Sequence, residues 1–191
     1  MLPIEPTAAQ RRLLERHLDE LQTWNRRLNL TAVPRDRAWV KHVEESLALL
    51  EAAAPAAGSL IADLGSGGGI PGVVVAVMRP DVAVTLIESD QRKAGFLVHV
   101  AGLLELDNLT VAARRAEALG RDPEHRERYD GVVSRAAAPA ALLVELAMPL
   151  LRPGASLWAL VSDAPASARA ATAAGASATA PAAGILAVAK R

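Results

Sequence analysis

Between Asp63 and Gly72 the chain reads Asp-Leu-Gly-Ser-Gly-Gly-Gly-Ile-Pro-Gly, a run whose residue types and spacing could hold a ligand. Glycines allow a backbone to take positive φ and to come within contact distance of a bound molecule. Gly67-x-Gly69-x-x-Gly72 also satisfies a dinucleotide fingerprint, so the glycines alone leave a nicotinamide dinucleotide and S-adenosylmethionine equally open. Asp63 separates the two. A carboxylate two residues before Gly65 would repel a pyrophosphate, whereas it would attract the ammonium and sulfonium charges of adenosylmethionine, directly or through water. Gly65, Ser66 and Gly67 of the same run would line the ligand, and Pro71 suits the first turn of a following helix, where a missing N–H is harmless.

Three further positions fit this ligand. Glu88, 23 residues after Gly65 and at the end of the next predicted strand, can accept hydrogen bonds from both ribose hydroxyls, with Asp90 a weaker candidate. Ala116 and Glu117 follow the third predicted strand at the height of the adenine ring. Arg135 closes the fourth, a cation beside the point where a methyl acceptor would enter. A metal centre is not expected, because the four histidines are scattered without ligand spacing and cysteine is absent.

The elements that must position these residues are legible from periodicity. Leu14, Leu18, Leu21, Trp24 and Leu28 recur at steps of three and four, which predicts an amphipathic helix over residues 7–28, and a second helix is expected over 37–53. After the breaker cluster from Pro55 to Gly58 the pattern alternates. Strands are predicted at 60–64, 82–88, 109–113, 129–134 and 156–161, with helices at 72–78, 91–106 and 139–151. Such alternation implies an α/β fold with a mostly parallel, doubly wound sheet and a ligand crevice at the carboxyl ends of the strands. Residues 1–56 are expected to form a helical cap and residues 57–191 the ligand-binding domain. From Ala164 to Ala183, 12 of 20 residues are alanine, a composition open to a helix and weak edge strand or to disorder, before a last strand over 184–189 that is expected to be antiparallel.

Composition excludes more than it selects. Hydrophobic residues are 51% of the 191, yet no apolar run is long enough to span a membrane, and no secretory signal opens the chain. The expectation is a soluble, cytoplasmic protein, consistent with the lack of cysteine. Lys plus Arg equals Asp plus Glu at 21 each, but Arg26, Arg27, Arg35, Arg37 and Lys41 stand against Asp36 alone. That local excess suits either a solvated face or a phosphate-rich partner.

In order along the chain, Asn29-Leu30-Thr31-Ala32-Val33, His42-Val43-Glu44-Glu45-Ser46-Leu47, Asp63 to Gly72, Leu86-Ile87-Glu88-Ser89, Arg92-Lys93, Arg115-Ala116-Glu117 and Ser134-Arg135-Ala136 resemble the bacterial 16S ribosomal RNA guanine-N7 methyltransferase family, RsmG, formerly GidB. The glycine run would suit many methyltransferases; the ordered set is far narrower. The resemblance implies a Rossmann-like class I methyltransferase that moves a methyl group from S-adenosyl-L-methionine to N7 of a guanine in the 530 loop of 16S RNA, on the RNA or the small ribosomal subunit, as a monomer. It implies cofactor contacts at Gly65, Ile70, Ala116, Glu117 and Arg135, ribose binding at Glu88, and an RNA surface including Arg26, Arg27, Arg92, Lys93 and Arg135. His42, with Glu45 and Ser46 on the same helical face, is implied as a positioning group rather than an acid or base. The chain departs from the family pattern at Glu45, where Asp is usual, in the order Arg92-Lys93, and at Val161-Ser162-Asp163, where a Lys-Gly pair is expected. A methyltransferase for another RNA or a small molecule and an RNA-binding relic are the competing readings. A dehydrogenase is disfavoured by Asp63 and by the lack of a hydride-transfer set.

Overall fold

Leu60-Ile-Ala-Asp-Leu64 and Ala83-Val-Thr-Leu-Ile87 are nearly continuous apolar runs, the pattern of strands covered on both faces. In a computed structural model describing residues 4–135, 138–173 and 175–190, they form β1 (Leu60–Leu64) and β2 (Ala83–Ile87), adjacent inner strands of one seven-stranded sheet. With β3 (Leu109–Ala112), β4 (Tyr129–Arg135), β5 (Leu151–Leu160), β6 (Ser177–Ala182) and β7 (Ile185–Ala189), the order is β3-β2-β1-β4-β5-β7-β6. The run from β3 to β5 is parallel, and β7 lies antiparallel to both β5 and β6. The chain reverses its winding between β1 and β4, and the crevice of such a sheet opens there.

Register sets the level of that opening. Leu64 pairs with Ile87 on one side and with Ser134 on the other, so Gly65, Glu88 and Arg135 all leave the sheet at one rim. Ser134 Oγ adds a hydrogen bond to the Leu64 carbonyl at 2.8 Å, which ties the two central strands together just below it.

Side chains alternate between two buried clusters. Ile61, Val84, Leu86 and Val133 face one layer of helices: α1 (Ala8–Leu28), α3 (Glu45–Ala53), α4 (Gly72–Met78) and α5 (Gln91–Leu103). Ala62, Leu64, Ile87 and Leu157 face α7 (Ala140–Ala147) and α8 (Ala164–Ala173), with α6 (Ala116–Leu119) near the rim. Leu14, Leu18 and Leu21 of α1 share one buried cluster with Val73 of α4 and Phe96 of α5. The N-terminal helices therefore pack on the helix layer over one face of the sheet.

Several elements differ from their predicted form. The expected helix over 37–53 is α2 (Arg35–Ala38), a π-helical turn (Trp39–Glu44) and then α3. A π turn adds one residue to the winding, which apolar periodicity does not reveal, and such turns recur at functional sites. Residues 151–155, predicted as the end of a helix at 151 and the connection to a strand at 156, instead begin β5. There Gly154 N–H donates to the Lys190 carbonyl at 3.2 Å and Lys190 N–H to the Ala155 carbonyl at 2.8 Å. The alanine-rich stretch forms α8 and the edge strand β6. Asp163, one of the departures from the family pattern, accepts the Ala166 N–H on Oδ1 at 2.9 Å and so caps α8. Among the described residues no helix is long and apolar enough to cross a membrane.

Two glycines test this packing with opposite signs. A Cβ on Gly72 would stand 2.6 Å from Asp63 Oδ2, whereas one on Gly95, inside α5, meets nothing within 4 Å. Gly72→Ala is expected to lower the urea midpoint by about 2 kcal/mol of stability through overpacking, and Gly95→Ala to raise it by roughly 0.5–1 kcal/mol through helix propensity.

Candidate active site

The glycine loop is held from three directions. Gly65, Gly67 and Gly69 adopt φ of 71°, 51° and 84°, which a side chain would strain, and the Gly65 and Ser66 N–H groups donate to the Ile87 carbonyl at 3.0 and 3.1 Å. Beneath the loop Asp63 is fully buried, and its Oδ2 accepts the Gly72 N–H at 3.0 Å while Ser66 Oγ donates to the Asp63 carbonyl at 2.9 Å. From β2 Glu88 accepts the Gly67 N–H on Oε2 at 2.9 Å and the Asp90 N–H on Oε1 at 2.8 Å. From α1 His17 Nε2 donates to the Gly68 carbonyl at 2.8 Å.

These contacts revise two expectations from the sequence. Asp63 does not line the crevice; it fastens strand to helix, and burial raises its pKa to about 7 against the lowering effect of the Gly72 N–H. The Ser66 side chain is likewise turned inward. His17 was not singled out in the sequence. Its signal there is a polar residue three positions after Leu14, on the stripe that buries Leu14, Leu18 and Leu21.

Around the loop two cavities open. The smaller, about 250 Å³, has Gly65, Glu88, Ala116 and Glu117 on its rim and Leu142, Leu143 and Leu146 as an apolar wall. Asp90 is spent on capping α5, accepting the Arg92 and Lys93 N–H groups at 2.8 and 3.4 Å. On the other side of the loop, a cavity of about 370 Å³ brings together Gly65, Ser66, Gly67, Ile70, His42, Lys93 and Arg135. Arg92 is exposed beside Asp90 and lines neither cavity.

His42 reaches this second cavity because the π turn carries it inward. Its Nε2 lies 2.9 Å from Thr31 Oγ1, and burial first, then the Arg135 and His17 charges, lower its pKa to about 4. Thr31 is itself placed by Asn25, whose amide exchanges hydrogen bonds of 2.8 and 2.9 Å with the Thr31 carbonyl and N–H. Asn29 takes the left-handed cap that ends α1, at φ 49°. Those contacts give the Asn29-Leu30-Thr31 motif a structural reason. Arg135 donates to the Lys41 carbonyl and pairs with Glu45 at 3.1 Å, and Glu45 also pairs with Lys41 at 2.8 Å. Burial pulls the Arg135 pKa down and Glu45 opposes it. Ala136, the last residue of its motif, lies outside the described residues.

The basic run is only partly free. Arg35 is bound to Glu15 at 2.5 Å and to Asp19 at 2.8 Å, and Lys41 to Glu45, which leaves Arg26, Arg27 and Arg37 outside ion pairs among the described residues. Arg26 and Arg27 occupy the last turn of α1, favourable for cations.

With the rim built, comparison with known proteins is informative. Residues 10–178 match the family described as rRNA small subunit methyltransferase G. The chain belongs to this family. It is 45% identical over 142 residues to ribosomal RNA small subunit methyltransferase G of Roseiflexus castenholzii, covering 73% of this chain and 59% of that protein. To the protein of the same name from Burkholderia ambifaria it is 39% identical over 161 residues, covering 83% and 70%. Several of the matched relatives are thus spanned over only about three fifths of their length. Among solved structures, precorrin-6y C5,15-methyltransferase of Geobacter metallireducens superposes with a TM-score of 0.59 at 14% identity, covering 78% of this chain and 88% of that one. At that identity the likeness concerns the fold, the Rossmann-like class I architecture expected from the sequence.

The buried titratable groups give this chain a testable pH response. A histidine with a lowered pKa contributes stability that is complete above about 6.5 and is lost as pH falls toward 4. The Asp63 contribution runs the other way, present in acid and lost as pH rises through about 7. His17→Gln keeps an N–H donor for the Gly68 carbonyl and removes one titration. Urea midpoints at pH 7 and 4.5 are expected to show a fall smaller than in the unmodified chain by about 2–3 kcal/mol.

Proposed function

We propose that this chain transfers a methyl group from S-adenosyl-L-methionine to N7 of a guanine in the 530 loop of 16S ribosomal RNA, acting as a monomer in the cytoplasm on the RNA or the small ribosomal subunit. The observation that carries the reading is the convergence of Glu88 and Arg135 on one glycine loop, from opposite sides and at one level of the sheet.

The residues fit the cofactor. Glu88 has lone pairs left after its two backbone contacts, enough to accept both ribose hydroxyls. Leu142, Leu143 and Leu146 offer an apolar wall to a flat ring, with Ala116 and Glu117 at its edge. Arg135 and Lys93 stand on the other side of the loop, where a carboxylate needs a cation. Asp63 acts through the loop it fastens. The bound cofactor supplies an electrophilic methyl group on a sulfonium centre.

The protein's own task is then placement. N7 of guanine carries an in-plane lone pair and no proton, so no general base is required. His42, with a pKa near 4, is a weak base, Asp63 lies beneath the loop, and Arg135 keeps its proton. Orienting two reactants in a shielded crevice can supply much of the rate. Arg26, Arg27, Arg92 and Lys93 would hold phosphates, which orient the RNA without reading its sequence.

Purified protein incubated with tritiated adenosylmethionine and small subunits from a strain lacking the modification is expected to label 16S RNA as N7-methylguanine. Label confined to a small metabolite, or RNA binding without cofactor binding by calorimetry, would sink the proposal. Glu88→Ala is expected to weaken cofactor binding at least tenfold, about 1.4 kcal/mol, with a smaller effect on RNA affinity. The double variant Arg26→Ser, Arg27→Ser is expected to reduce the slope of log affinity against log salt by about 2.

A further inference from the structure

Beyond Arg135, on the side away from the glycine loop, lies a third cavity of about 420 Å³. Its mouth is at the carboxyl ends of β4 and β5, the position an acceptor must take if the cofactor lies over the loop. Leu160, Val161 and Ile185 give it an apolar floor, and Lys41, Glu45 and Arg135 give it a charged edge. Glu45 is held by both cations, at 2.8 Å from Lys41 and 3.1 Å from Arg135, and its side chain is still one-third exposed. A carboxylate has about four lone-pair sites, so each oxygen keeps one for a ligand.

We infer that Glu45 is the residue that selects guanine, by accepting hydrogen bonds from its N1–H and exocyclic N2–H groups. This rests on the proposed reaction and names the contact by which the acceptor is chosen. Guanine presents two neighbouring donors on the edge opposite N7, and a carboxylate presents two neighbouring acceptors. Adenine and cytosine each set a ring acceptor beside a donor there, and a carboxylate repels it. The cations beside Glu45 can donate to guanine O6, which completes a donor-donor-acceptor edge that no other base of RNA offers. A base gripped by that edge turns N7 outward and away from Glu45. Arg135 lines both this cavity and the one against the loop, so the two spaces adjoin at its side chain. Flipped bases are commonly read in this way, by hydrogen bonds to the pairing edge and stacking on apolar side chains. Val161, where the family pattern has a cation, then serves as part of the stacking surface.

The test replaces the target guanine by inosine, which keeps N7, O6 and N1–H and lacks the N2 amino group. Small-subunit RNA ligated with either base at the target is assembled into particles and methylated by the full chain. The unmodified protein is expected to prefer guanine at least tenfold in kcat/KM. With Glu45→Gln the preference is expected to shrink to threefold or less, because an amide offers one acceptor and sets a donor against the base. Glu45→Asp, the family's usual residue, is expected to restore it. Because Glu45 also pairs with Arg135, adenosylmethionine affinity by calorimetry and the urea midpoint are measured for both variants; any loss there falls equally on guanine and inosine and leaves their ratio to report the contact to N2. Equal losses on guanine and inosine in Glu45→Gln would show that Glu45 acts only by positioning Arg135, and the assignment falls. Lack of discrimination by the unmodified protein overturns it as well. Labelling of neither RNA removes the methyltransferase reading itself, and the assignment with it.

Discussion

A single buried contact underlies the rest of the architecture: the Asp63 carboxyl group accepting the Gly72 N–H. It joins the end of β1 to the start of α4 across the glycine loop, in a space that admits no Cβ at Gly72. The cost is a carboxyl group out of water, visible in its raised pKa, and one oxygen without a hydrogen-bond partner. The gain is a loop whose backbone N–H and carbonyl groups are already committed to Ile87, Glu88 and His17. Such a loop presents a preorganised surface, and little ordering remains to be done when a ligand arrives.

From that loop the two sides of the site diverge in character. The side toward β2 and α7 combines an apolar wall of leucines with the carboxylates of Glu88 and Glu117 at its rim. Toward β4 and the N-terminal helices the walls carry Lys93, Arg135, Lys41 and Glu45, and the ion pairs there hold long side chains in fixed positions. The π turn matters to both His42 and Glu45. Because it inserts a residue before α3, His42 turns into the core while Lys41 and Glu45 flank the cavity beyond Arg135. The two buried histidines are neutral struts: each has an unpartnered Nδ1 and supports a neighbour, Gly68 or Thr31.

Much of this was legible in the sequence, for reasons that can be named. The glycine run, the apolar strands and the 3.6-residue stripe of α1 are local signals, and each specifies its own backbone. Asp63 was legible as an acidic strand end but not as a clamp, since that role depends on Gly72 N–H approaching from a helix nine residues later. The Asn29-Leu30-Thr31 motif could be noted and not explained, because its meaning lies in Asn25 and His42. Local charge counting also overstated the basic run, two of whose five cations are bound to acids on α1 and α3.

By itself the sequence determined the fold class, the glycine turn between β1 and α4 and the family, because these rest on short-range backbone chemistry and on ordered motifs. Only the tertiary structure decided which groups share a cavity. Gly65, Glu88 and Arg135 are 23 and 47 residues apart along the chain between neighbours, and they meet because parallel pairing brings Leu64, Ile87 and Ser134 into one register. Likewise, whether Asp63 faced a ligand or the core, and whether Lys41 was free or paired, turned on contacts between distant elements. Burial and register are properties of the packed sheet, and residue spacing does not carry them.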